Sequence, residues 1–226
     1  MSAGRPLGER GIRSYVLRQG RTTPAQQRAL AELMPRYGIP FAERQLDFGS
    51  VFGRSAPVVL EIGPGMGEAT AEIAQAHPEQ DYLAAEVHGP GVGSLLNRIH
   101  LLGLENVRVV RHDAVEVLRW MIPERALAGL HLFFPDPWPK KRHHKRRLVQ
   151  APFAALAARK LAPGGYVHVA TDWPDYAAQI EETFSTSGWF AKRPEGGGSR
   201  PVTKFERRGI GLGHPVRDLL FLRRQE

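Results

Sequence analysis

The sequence predicts an α/β fold: a mostly parallel, Rossmann-like sheet wound with helices on both faces. Three observations carry this reading. Short apolar runs alternate with segments of helical periodicity from residue 57 to about 188, at the spacing of βα units. The first apolar run ends in a glycine turn, EIGPGMG (61–67), that opens a helical segment. Acids stand at or just past successive strand ends, Glu61, Glu86, Asp113, Asp136 and Asp172, and ligands of open α/β sheets bind at the carboxyl ends of the strands.

Each element has its own local reason. Residues 1–25 carry Arg5, Arg10, Arg13, Arg18 and Arg21 among several glycines, a basic arm ahead of one domain spanning 26–226. QQRALAELMPRY (26–37) places Leu30, Leu33, Met34 and Tyr37 at helical spacing, with Pro35 ending or kinking the helix. Residues 38–56 read as loop. PVVLEIG (57–63) is a buried strand, EATAEIAQAHP (68–78) a helix stopped by Pro78, DYLAAEV (81–87) a second strand and SLLNRIHLLG (94–103) a helix closed by Gly103. NVRVVRHDA (106–114) is a third strand, AVEVLRWM (114–121) a short helix and GLHLFFP (129–135) a fourth strand. Pro152 opens the helix PFAALAARKL (152–161), PGG (163–165) turns into the strand YVHVATD (166–172), and DYAAQIEETFSTSG (175–188) is a helix. RPEGGGSRP (193–201) reads as a flexible loop and VRDLLFLRR (216–224) as the closing strand.

Bulk properties narrow the partner. A net charge of +8 and a pI near 10.2 favour a polyanion such as nucleic acid. The absence of cysteine excludes disulfides, thiolate metal sites and thiol nucleophiles. No apolar run approaches a membrane span and the N-terminus lacks the apolar core of a signal peptide; a cytoplasmic protein is expected.

Gly63, Gly65 and Gly67 let the backbone approach a ligand with its amide hydrogens forward. The third glycine comes one residue earlier than in the dinucleotide fingerprint, and Glu68 stands where that pattern wants a small residue, which disfavours a pyrophosphate cofactor. The E-x-G-x-G-x-G form resembles the first motif of S-adenosylmethionine (AdoMet) methyltransferases. Glu86 reads as an acceptor for two ribose hydroxyls or as a surface acid. Asp113 reads as an acceptor for an adenine amino group, as the N-cap of the next helix, or both. Glu61 either faces the cationic end of a cofactor or braces the glycine loop.

The stretch LFFPDPWPKKRHHKRR (132–147) runs a strand into an acid held between two prolines and then into eight basic residues. Pro135 and Pro137 restrict Asp136, and Trp138 offers a flat surface for a base. The alternative is a structural turn whose acid pairs with Lys140 or Arg142. KKRHHKRR (140–147) reads as a phosphate-binding track leading to Asp136 or as a solvated charged face. His143 and His144 lack metal-ligand spacing, so no metal is expected.

PDPWPKKRHHKRR, EIGPGMG, EVHGPGVG (86–93), HDAVEVL (112–118), ATDWPDYA (170–177) and SRPVTKFERRG (199–209) together resemble the bacterial tRNA (guanine-N7-)-methyltransferase family, and the similarity runs from about residue 13 to 221. The resemblance implies the class I methyltransferase fold with an antiparallel C-terminal strand, AdoMet as cofactor and N7 of guanine 46 in the tRNA variable loop as acceptor. It implies cofactor contacts from Glu61, Glu86, Asp113 and Asp136, with Asp136 also catalytic. Lys140, Asp172, Thr203, Lys204, Phe205 and Glu206 would contact substrate. Arg142, Lys145, Arg146 and Arg147 would engage RNA. The loop 193–206 is expected to close over substrate. Lack of cysteine independently rules out the thiolate-addition route to C5 of pyrimidines. Competing readings are a methyltransferase for another nitrogen or another RNA, and a non-catalytic RNA-binding module; a nicotinamide dehydrogenase is disfavoured by the glycine spacing. Monomer and homodimer both remain open.

Overall fold

The computed structural model describes residues 14–15, 20–193, 200–202, 206 and 215–225. In chain order the elements are α1 (Pro24–Glu32), α2 (Met34–Tyr37), α3 (Phe48–Phe52), β1 (Val58–Ile62), α4 (Glu68–Ala76), β2 (Asp81–Ala85), α5 (Gly89–Leu101), β3 (Val107–Val110), α6 (Ala114–Glu116) running into a π-helical turn (Val117–Met121), β4 (Leu127–Phe133), a 3-10 turn (Lys141–Arg146), α7 (Ala151–Lys160), β5 (Leu161–Thr171), α8 (Pro174–Thr186), β6 (Phe190–Lys192) and β7 (Arg217–Arg223).

The strands form one sheet in the order β3-β2-β1-β4-β5-β7-β6. The first five are mutually parallel, and β7 lies antiparallel to both β5 and β6. β1 is flanked by β2 on one side and β4 on the other, so the strand order reverses there and the crevice opens at the carboxyl ends of β1 and β4. That junction holds both the glycine turn and the Asp136 turn.

Alternation along the strands sends side chains to two cores. Leu60, Ile62, Leu83, Leu130, Leu132, Val167, Val169 and Phe221 pack with Val117, Phe153, Ala157, Ile180 and Phe184 of the helices on one side. Val59, Tyr82, Ala84, Val107 and Val109 pack with Ala29, Ile73, Val92, Leu95 and Ile99 on the other. The sheet is therefore wound on both faces, as the alternating pattern predicts.

The structure departs from the sequence reading at several points, among them β6, which the sequence reading lacks, and β5, which begins at Leu161 ahead of the expected PGG turn. Pro35 opens a second short helix instead of ending the first, because a proline in the first turn has no amide bond to lose. The loop 38–56 contains α3, capped by Asp47, which accepts from Gly49 N at 3.1 Å, and closed by Gly53 at φ +73°. α5 begins at Gly89, five residues before the expected start, inside the GPGVG stretch. Gly91 is there for close approach: a Cβ would lie 2.5 Å from Gly65 O. The expected flexible loop at 193–201 lies largely outside the described residues. Among the described residues no helix is long and apolar enough to cross a membrane.

Candidate active site

A cavity of about 250 Å³ opens at the reversal point, walled by Ile62 and Gly63 at the end of β1, Glu86 to His88 after β2, His112 to Val115 after β3, and Phe133 to Asp136 at the end of β4. Four separate strand ends thus deliver Gly63, Glu86, Asp113 and Asp136 to one space.

The turn after β1 puts Gly63, Gly65 and Gly67 at φ +69°, +58° and +74°, the left-handed region that only glycine enters at no steric cost. Glu86 fastens this turn. One carboxylate oxygen accepts from Gly65 N at 3.0 Å, the other from His88 N at 2.8 Å. Each oxygen has a second acceptor site, so the carboxylate can still take hydroxyl donors. Asp113 caps α6 by accepting from Val115 N at 2.8 Å, as the N-cap reading expects, and it also walls the cavity. The loop bearing Asp113 is braced by His112, which stacks on Phe41 at 3.6 Å and bonds Glu116 at 2.6 Å.

Glu61 is elsewhere. It faces α4 from within the sheet, is 1% exposed and does not wall the cavity. Burial pushes its carboxyl up to about 7; the Thr70 hydroxyl opposes the shift and the Glu86 charge adds to it. Glu61 is thus buried at the end of β1, outside the residues that wall the cavity. Gly65 and Gly67 likewise are not among the residues that wall the cavity.

Asp136 sits on the rim, framed by two residues in the left-handed region, Phe134 at φ +52° and Trp138 at φ +46°. Such a backbone costs a bulky residue about 1–3 kcal/mol and concentrates at functional sites. Phe134 N still donates to Ala170 O at 2.8 Å, so the turn starts from a paired strand. Asp172 stands one residue beyond the neighbouring β5, so the two acids leave adjacent strand ends.

The basic run winds into the 3-10 turn. Lys140, Arg142 and Lys145 are exposed. Arg146 lies 3.9 Å over the Trp138 ring, so it occupies a face of the indole on which base stacking was expected. The indole nitrogen of Trp138 donates to Ser14 O at 3.0 Å and Arg146 donates to Tyr15 O at 3.4 Å. Ser14 and Tyr15 belong to the basic arm and wall the cavity, a contribution that charge alone did not announce. Arg147, expected with its neighbours at RNA, is set apart from them: it is 2% exposed and its guanidinium is bonded within the protein.

Glu206, expected at substrate, is also buried. Its carboxylate takes two bonds from Arg200, which binds Asp218 through Nε at 2.6 Å and Nη2 at 2.9 Å. Arg200 lies 5.4 Å from the Phe134 ring, and His168 bonds Asp218 at 2.9 Å. Burial alone would raise the Asp218 carboxyl, yet the bonds from His168 and Arg200 hold it at about 2. Thr203, Lys204, Phe205 and most of the loop 193–206 lie outside the described residues.

Relatives with known names share this chain almost end to end. One from Nitrosospira multiformis, named tRNA (guanine-N(7)-)-methyltransferase, is 58% identical and covers 96% of each chain. One of the same name from Chromobacterium violaceum is 55% identical over 97% of this chain and 99% of its own. The chain belongs to the tRNA (guanine-N(7)-)-methyltransferase family. The profile of a family described as "Putative methyltransferase" matches residues 55–219, from just before β1 into β7. Among solved structures, the 16S rRNA methyltransferase KamB superposes with a TM-score of 0.57 at 17% identity, covering 79% of this chain and 93% of that one. That likeness concerns the fold, the class I methyltransferase architecture that the family resemblance implied.

Proposed function

We propose that this protein transfers a methyl group from AdoMet to N7 of guanine in tRNA, at position 46 of the variable loop. The observation that carries the reading is the convergence of Gly63, Glu86 and Asp113 on a cavity whose rim is Asp136, with the basic run leaving that rim directly. The residues fit a nucleoside cofactor: Glu86 for the ribose hydroxyls, Asp113 for the adenine amino group, and a glycine turn whose approach to α5 a single Cβ would block. When bound, AdoMet supplies a sulfonium-activated methyl.

N7 is a lone-pair acceptor on the major-groove edge of guanine and carries no proton. No general base is required. Asp136 orients the base by accepting from its ring edge and stabilises the positive charge that methylation places on the ring. Asp172, leaving the adjacent strand end, supports the same base. Lys140, Arg142, Lys145 and Arg146 hold the phosphate backbone, which makes affinity salt-dependent. The family name carried by relatives at 55–58% identity supports the tRNA substrate.

Paired tRNA transcripts with guanine or adenine at position 46 test the reading. Labelled methyl is expected on the first alone. Equal labelling of both would refute position 46, and labelling of neither would refute tRNA as substrate.

A further inference from the structure

We propose that Arg147 is a positioning residue that holds the Asp136 turn against the helix following Asp172, and that it is not an RNA contact. It closes the basic run, and charge alone groups it with its neighbours. Its surroundings separate it from them. Lys140, Arg142 and Lys145 are exposed, whereas Arg147 is buried.

The guanidinium is bonded in three directions. Nε donates to Pro137 O at 2.8 Å, Nη1 to Gln179 Oε1 at 2.6 Å, and Nη2 to Asp175 Oδ2 at 2.6 Å. Its planar fork also lies 4.9 Å over the Tyr176 ring. Lysine can supply donors from one point but not this divergent plane. A phosphate would have to displace part-buried, charge-assisted bonds to reach it.

The placement of the acceptors gives the bond its function. Pro137 O belongs to the residue after Asp136 and precedes Trp138, which is in the left-handed region. Fixing that carbonyl fixes the direction in which the chain leaves Asp136. Asp175, Tyr176 and Gln179 are on the first turns of α8, which starts two residues past Asp172. The same helix is stitched to the outgoing chain a second time: Val149 N donates to the Tyr176 hydroxyl at 3.1 Å and Gln179 Nε2 donates to Val149 O at 3.0 Å. Arg147 thus ties the strand end bearing Asp136 to the strand end bearing Asp172. A small displacement of a group beside the reacting atoms can cost about 10²-fold in rate. The inference rests on the reading of Asp136 as the acid at the reacting base.

The test compares Arg147→Lys, Asp175→Asn and Arg142→Ala with wild type and with Asp136→Ala, measuring kcat, KM and the salt dependence of tRNA binding on folded protein. Arg147→Lys and Asp175→Asn are expected to lower kcat about 10- to 100-fold while keeping the wild-type salt slope. Arg142→Ala is expected to reduce that slope by about one. A slope reduced by Arg147→Lys with kcat retained would overturn the inference, and so would wild-type kcat in folded Arg147→Lys and Asp175→Asn. Should Arg147→Lys fail to fold, Asp175→Asn decides alone, because Asp175 is largely exposed and asparagine keeps an acceptor for Arg147 while removing the charge that also faces His144 at 3.8 Å. Full activity in Asp136→Ala would instead refute the role given to Asp136, a failure distinct from that of Arg147.

Discussion

The two sides of the crevice are built by different means. On the β1–β2–β3 side, acids accept from backbone amides: Glu86 from Gly65 and His88, Asp113 from Val115. On the β4–β5–β7 side, arginine side chains bond acid side chains: Arg147 to Asp175, and Arg200 to Asp218 and Glu206. The first side is a cradle of backbone amides, which the proposed function gives to the cofactor. The second is a set of side-chain cross-ties that joins separate segments at the rim, which the proposed function gives to the tRNA.

The comparison can be broken at several points. The largest effect is expected from Asp136→Ala, with kcat lower by about 10²–10³-fold, the range for loss of a group placed at developing charge, read by single-turnover methyl transfer. Next is Arg200→Met, which leaves Asp218 and Glu206 without their shared cation. Unpairing a buried ion pair costs about 3–5 kcal/mol, to be read by urea denaturation; a loss below about 1 kcal/mol would show that the tie is ornamental.

Glu61 sharpens the same contrast through pH. Its folded-state value, about 7, exceeds the ordinary 4.5, so the folded protein holds this proton more tightly than the unfolded chain. Its contribution to stability therefore falls as pH rises from about 4.5 to 7, by on the order of 3 kcal/mol. Glu61→Gln is expected to match wild type near pH 4.5 and to be more stable at pH 8; an unchanged difference across that window would mean the carboxylate is not desolvated. Glu86→Gln tests the cradle itself. Loss of charge-assisted bonds worth about 1.5–3 kcal/mol predicts AdoMet affinity lower by about 10- to 100-fold in calorimetry, with thermal stability reduced less than in Arg200→Met.

Legibility in the sequence follows this division. The alternating strands, the glycine turn and the acids at strand ends are periodic or local patterns, and β1 to β5 with Glu86, Asp113 and Asp136 emerge from them directly. Ser14 and Tyr15 at the cavity are not legible, because a short contact from an arginine-rich arm leaves no periodicity. α3 and β6 are too short for their patterns to stand out, although Asp47 and Gly53 are ordinary caps. The burial of Arg147 is not legible for a physical reason: charge is visible in sequence, whereas burial is set by tertiary partners 28 and 32 residues away. Trp138 shows the same limit, since Arg146 takes the ring face that the sequence offers to a base.

The most direct test of the central claim is to incubate the protein with AdoMet and unmodified tRNA and identify the methylated nucleoside by mass spectrometry. The account predicts N7-methylguanosine in the variable loop. Methyl on another atom or outside that loop, or no methyl on tRNA from protein that still binds AdoMet, would contradict it.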